Sequence, residues 1–234
     1  MQRRERESGL SRKEVIVWLC ILFGILFVSA VVILSPFFPS VGTPVAARRS
    51  LAGTETRNIV SAVKSYESDY GHFPEIVKPL PKGRKTICVG DPACKISDGP
   101  NSLLLDVLRA IPRGPNANHA LNPKQVVYYE GPIAKDVRNP RSGFADGPAV
   151  PAADRGCLFD PWGHQYCILF TTDGSGKLDL SAVYSDLAGP ANLVPSPVAA
   201  FSLGKDGISG GKGYEGKFRK PGSSEPPDDI VSWQ

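Results

Sequence analysis

The run from Val15 to Leu34, "VIVWLCILFGILFVSAVVIL", constrains this chain more than any other feature. It is twenty residues long and carries no charge. As a helix at about 1.5 Å per residue it reaches about 30 Å, the thickness of a bilayer's hydrocarbon core. Arg3, Arg4, Arg6, Arg12 and Lys13 precede it, and no further charge occurs until Arg48. That asymmetry predicts a cytoplasmic N-terminus, with everything after residue 34 on the far side of the membrane. A cleaved signal peptide is the competing expectation, since "VSA" at 28–30 and "PVAA" at 44–47 offer small residues. The apolar core of such a signal usually spans only about 7–15 residues, so a retained anchor is favoured.

The expected organisation is a basic cytoplasmic leader over 1–14, a transmembrane helix over 15–34, a proline-rich linker over 35–49 and an exported head over 50–234. Pro36, Pro39 and Pro44 in the linker should interrupt a helix leaving the membrane. From Ser50 to Tyr70, Ile59, Val63, Tyr66 and Tyr70 recur at helical spacing, with Arg57, Lys64, Glu67 and Asp69 mostly on other faces. Gly71 supplies a left-handed stop and Pro74 follows. Residues 75–100 read as loop, "NSLLLDVLRAI" (101–111) as a short helix and "KQVVYYEG" (124–131) as a strand. In residues 156–185 two turn signals, "DPWG" and "DGSG", separate three expected strands, and "VAAFSL" (198–203) is the last. With 22 Pro and 24 Gly the chain favours turns and short strands over a helical bundle. The fold class expected is α+β, an amphipathic helix packed on a small antiparallel sheet.

Cys20 lies within the apolar run, and Cys88, Cys94, Cys157 and Cys167 follow it. In an oxidising compartment an even set reads as disulfides. Of three possible pairings, 88–94 and 157–167 are expected, because each closes a short local loop. A zinc site on the four cysteines, or with His164 replacing one, is disfavoured because C-x5-C is wider than the usual ligand knuckle.

Other chemistry is thinly represented. "GKGYEGKF" (211–218) has Phe218 where a phosphate loop needs Ser or Thr, and "RKPGSSEPP" after it cannot be the required helix. The three histidines, His72, His119 and His164, form no zinc-protease motif, and there is no nucleophile elbow. A net charge of +4, without basic residues interleaved with aromatics, does not suggest nucleic acid. No catalytic residues are therefore expected. What remains is the pair "LGKDG" (203–207) and "DDIVSW" (228–233), whose carboxylates and turned carbonyls suit a hard cation such as Ca²⁺.

Taken in order, "IVSAVKSYESDYGHFP", "DPWGHQY" and "FSLGKDG…DDIVSW" resemble the major pseudopilin of the type II secretion system and its pilin-like relatives. The family pattern is a helix ending Y-x-x-D-x-G-x-Y/F-P, then D-P-W-G-x-x-Y, then S-x-G-x-D-G with a closing D-I/V-x-x-W. The resemblance implies a non-enzymatic subunit of a homo-oligomeric, membrane-rooted filament that supports protein export across the outer membrane. Its partners would be other pseudopilins and the inner-membrane assembly platform. The chain would be a single-pass inner-membrane protein with a periplasmic head. The resemblance also implies a Ca²⁺ site made by the carbonyls of Leu203 and Lys205 and the carboxylates of Asp206 and Asp228. Asp229 would be a neighbouring or alternate ligand, with a further carbonyl near Pro226. Family precursors are cut after a glycine, and Gly9, Leu10 and Glu14 occupy the corresponding positions. Three departures stand out: Arg12 and Lys13 replace apolar residues, residues 208–227 lengthen the loop between the acidic segments, and Pro36, Pro39 and Pro44 break what is one long helix in the family. The alternative is a membrane-tethered, non-polymerising head that binds an envelope or extracellular partner.

Overall fold

Helix α1, Pro44–Tyr70, organises the head. It buries Ala52, Thr56, Ile59, Val63 and Tyr66, a stripe spaced by alternating steps of four and three residues. The stripe expected from Ile59, Val63 and Tyr66 is therefore the packed face. The start of the helix differs from expectation. It already includes Pro44, six residues before the expected Ser50. At the other end the Gly71 N–H donates to the Glu67 carbonyl (2.7 Å) with φ at +74°, the left-handed stop the sequence predicts.

The computed structural model describes residue 13 and residues 44–77, 84–184, 193–209 and 229–233. The expected transmembrane helix over 15–34, the residues Gly9, Leu10, Glu14 and Cys20, Asp228, and most of the long loop after Ser209 lie outside the described residues. Among the described residues no helix is long and apolar enough to cross a membrane.

The fold is α+β with a small antiparallel sheet. Strands β1 (Thr86–Val89), β4 (Cys167–Thr171), β7 (Val198–Ser202) and β8 (Ile230–Val231) form it in the order β1-β4-β7-β8. Helix α1 lies against β7 and β8. Alternation along the strands divides the core in two. Ile168, Phe170, Val198, Ala200 and Ile230 face the layer containing the α1 stripe. Cys88, Cys167, Leu169, Ala199, Phe201 and Val231 face a second layer with Leu178, Leu180, Tyr184 and Leu203. Both faces are covered, which explains why "CILFT" and "VAAFS" read as continuous buried runs rather than alternating ones.

The short helix α2, Ser102–Leu108, follows β1. Asn101, just before it, is fully buried and acts as a bracket. Its Nδ2 donates to the Leu158 and Tyr166 carbonyls (2.9 and 3.0 Å), and its Oδ1 accepts from the Leu158 N–H (3.0 Å). That fastens α2 to the two-stranded sheet of β2 (Gly143–Phe144) and β3 (Leu158–Phe159).

Two expected strand arrangements are corrected. Residues 124–131 form no strand. The Tyr128 and Tyr129 N–H groups both donate to the Leu108 carbonyl, and Asn122 brackets Val126 through N–H and carbonyl. The backbone there is satisfied by the end of α2, and Val126 and Val127 stay exposed. The segment after "DGSG" does not fold back on β4 either. Its strand β5 (Leu178–Asp179) pairs instead with β6 (Leu193–Val194), leaving β4 between β1 and β7.

Candidate functional site

Three loops meet at the end of the sheet where β3 leads into β4 and β7 ends. The first is "DPWGHQ". Asp160 is fully buried, and its Oδ1 accepts the N–H groups of Trp162 (2.8 Å), Gly163 (2.8 Å) and His164 (3.0 Å). The second is "SLGKDG". The Ser202 hydroxyl donates to Asp160 Oδ2 and accepts the Gly204 N–H (3.0 Å), so one serine ties the two loops together. The third follows β1. Asp91 accepts the Ala93 N–H (2.9 Å) on Oδ1 and the Gln165 N–H (3.0 Å) on Oδ2.

His164 sits where the three loops meet. Its Nδ1 is 3.8 Å from Asp91 Oδ2. Gly207, with φ at +70°, lies so close that a Cβ there would come within 2.5 Å of the imidazole Cε1. The nearby Asp91 carboxylate raises the His164 pKa above its usual 6.5, burial opposes this, and the charges of Asp160 and Asp206 add to the rise. For Asp91, burial acts to raise the carboxyl, but His164 and the Ala93 and Gln165 N–H groups outweigh it and leave the pKa lowered. Burial pushes the Asp160 carboxyl up, against the pull of Ser202 and the turn N–H groups. With its oxygens occupied by backbone and hydroxyl donors, Asp160 acts as a clamp rather than as a base.

The sequence-expected ligands fall into two environments. Leu203 is buried in the second core layer, and Lys205 and Asp206 are exposed. Asp206 Oδ1 accepts the Ile208 N–H (2.9 Å), closing a local turn, while its charge acts on His164. Asp229 is fully buried and faces Tyr184, whose phenol is raised first by burial and then by that carboxylate. The register joins the two segments: Ser202 pairs with Ile230, so the next residues outward are Leu203 and Asp229. Among the described residues no three His, Cys, Asp or Glu side chains make a ligand set.

The structure brings one expected cysteine pair together and separates the other. All four thiols are free and buried. Cys88 and Cys94 lie with Sγ atoms 3.5 Å apart. The expected partners Cys157 and Cys167 are in different clusters. Cys157 packs with Ala145, Val150 and Phe159, and Cys167 joins Cys88 and Cys94. The register explains this, because β4 runs beside β1 and carries Cys167 away from the loop that holds Cys157.

Asp91 and Ser202 escaped the sequence reading. The Asp-Pro at 91–92 is a turn signal, but nothing local points that turn at Gln165. A separate groove of about 510 Å³ lies against Glu67, His72, Phe73, Phe170 and Thr172 and holds none of the expected site residues.

No family model matches this chain, and no curated protein or solved structure matches it either.

Proposed function

We propose that this chain is a structural subunit of a type II secretion pseudopilus or a related pilin-like filament, rooted in the inner membrane through residues 15–34 and performing no chemistry on its periplasmic head. One observation carries the reading. "DPWGHQY", "SLGKDG" and the closing acidic segment are far apart in sequence and are held at one end of the sheet, by Asp160–Ser202 and by the β7–β8 register. A long helix laid along an antiparallel sheet supports the same reading. The Ca²⁺ ion would draw on the carbonyls of Leu203 and Lys205 and on Asp206 and Asp228, with Asp229 adjacent. Its role would be to stabilise the folded head by mass action.

The test is the N-terminus and assembly state of the full chain in its own membranes. A subunit of this kind starts at Leu10 after cleavage behind Gly9, and it cross-links into ladders of successive multimers. An intact Met1 with monomer only would overturn the filament reading in favour of a tethered head that binds a partner.

A further inference from the structure

Cys88 and Cys167 lie on the same face of the sheet. Cys88 pairs with Leu169 across β1–β4, so Cys167 is its diagonal neighbour on that face. Diagonal neighbours sit about 7–8 Å apart, beyond the Cα separation of up to about 6.8 Å that a disulfide usually spans. Cys94 comes from the loop between β1 and α2; its Sγ lies 3.5 Å from that of Cys88, and Cys167 packs with both in one buried cluster. The loop is folded back by the Asp98 N–H to the Cys88 carbonyl (2.6 Å), and by Asp98 Oδ2 accepting the Cys88 N–H (3.0 Å). Its turn at Asp91 grips Gln165. Hence Cys94 is the shared member of a buried three-thiol cluster, and the other two cannot readily join without it.

We propose that Cys94 is a disulfide exchange centre, bonded to Cys88 or to Cys167 in turn, with Cys157 left as a separate thiol. The first step needs a disulfide co-reactant, such as that of a thiol oxidoreductase, acting before the 90–99 loop seals over the sheet. One thiolate attacks that disulfide and expels a thiolate. Cys94 then resolves the mixed disulfide, so the co-reactant gains two electrons and two protons as a dithiol. The second step needs no oxidant. The remaining thiolate attacks Cys94 Sγ, forms the new bond and expels the former partner as thiolate. The neighbouring Cys167 and then Cys88 thiols lower the Cys94 pKa while those of Cys88 and Cys167 are raised, so Cys94 carries the thiolate that resolves the first mixed disulfide, and in the second step the attacking thiol gives up its proton to the sulfur that leaves. The two states differ in reach. Cys94–Cys88 closes the loop on itself, whereas Cys94–Cys167 staples it to the central strand.

The test is peptide mapping of the full-length chain in detergent, equilibrated with oxidised and reduced glutathione, acid-quenched and alkylated. Cleavage before Asp91 and before Asp160 separates all four head cysteines. Two cross-linked species are expected in the wild type, Cys94–Cys88 and Cys94–Cys167, with Cys157 alkylated in full. Cys88→Ser should leave only Cys94–Cys167, and Cys167→Ser only Cys94–Cys88. A wild type with one species, with none, or with Cys157 cross-linked would overturn the proposal, whatever the variants do.

Discussion

With three backbone N–H groups and the Ser202 hydroxyl directed at its carboxylate, Asp160 fixes the turn before β4. Asp160→Ala strands these buried donors, at about 1–3 kcal/mol for each one left without water. A loss of about 3–5 kcal/mol in urea unfolding is expected, since the stranded groups are only partly rehydrated. Asp160→Asn keeps the Oδ1 acceptor and removes a charge that burial disfavours, so its cost should be about 1 kcal/mol. His164 adds a pH dependence. Its pKa is raised in the folded head, so its contribution is fully present below the unfolded value of about 6.5 and is lost as pH rises through the folded one. Asp91 works in the opposite direction: its pKa is lowered, and its contribution is lost as pH falls through the folded value. The melting midpoint should therefore fall as pH rises above about 6.5. His164→Gln should flatten that limb, and an unchanged slope in the variant would remove His164 from the account. "DPWG" was legible as a turn, but the burial of Asp160 was not, because it depends on Ser202 from a distant strand.

At the scale of elements, helix α1 was the most legible part, because Ile59, Val63 and Tyr66 recur at helical spacing and form its buried face. Its packed stripe gives a clear expectation. Ile59→Ala opens a fully buried site and should cost about 2–4 kcal/mol in chemical unfolding, whereas Leu51→Ala on the exposed side should change stability by under about 0.5 kcal/mol. The strands were less legible for two physical reasons. β1 is four residues long in a stretch rich in turn formers, and its apolar residues are buried by β4, far along the chain. "KQVVYYEG" has strand composition, but the free carbonyl at the end of α2 captures its N–H groups first. Backbone geometry at Gly90 gives a further check. Its φ is +148°, and a Cβ there would come within 2.5 Å of the Tyr166 carbonyl oxygen. Gly90→Ala should therefore cost at least about 2 kcal/mol and shift β1 against β4. A near-neutral result in the same unfolding assay would contradict this close approach.

For the whole molecule, the decisive question is whether Ca²⁺ closes the end of the sheet. Residues 44–234 form one compact unit and supply the material for the measurement. Melting with Ca²⁺, with Mg²⁺ and with chelator should show a rise specific to Ca²⁺, equivalent to about 2.7 kcal/mol at a hundredfold excess over the dissociation constant. The rise should be absent in Asp206→Ala and Asp228→Ala. Equal midpoints in all three conditions would remove Ca²⁺ from the proposed function and leave the polypeptide clamp around His164 as what holds the loops. The sequence anticipated that 203–207 lies beside the closing acidic segment, as the β7–β8 register places it, but not that the loops at Asp91 and Asp160 join them. The nearness of Cys88 and Cys94 was legible, but the place of Cys167 was not, because short spacing favours Cys157–Cys167 whereas the register of β4 beside β1 brings Cys167 into the cluster of Cys88 and Cys94.

The pairing of Phe201 and Ser202 with Val231 and Ile230 has an engineering consequence. The end of β7 and the start of β8 are neighbours in the sheet, so a connection between them has only a short gap to close, whatever its length. Each doubling of such a connection costs only about 0.6 kcal/mol of closure entropy. A fluorescent reporter whose own termini lie close together, grafted after Gly216, should lower the unfolding free energy by only about 1 kcal/mol. That would give a protein that can be followed by light in living cells with both of its ends left untouched.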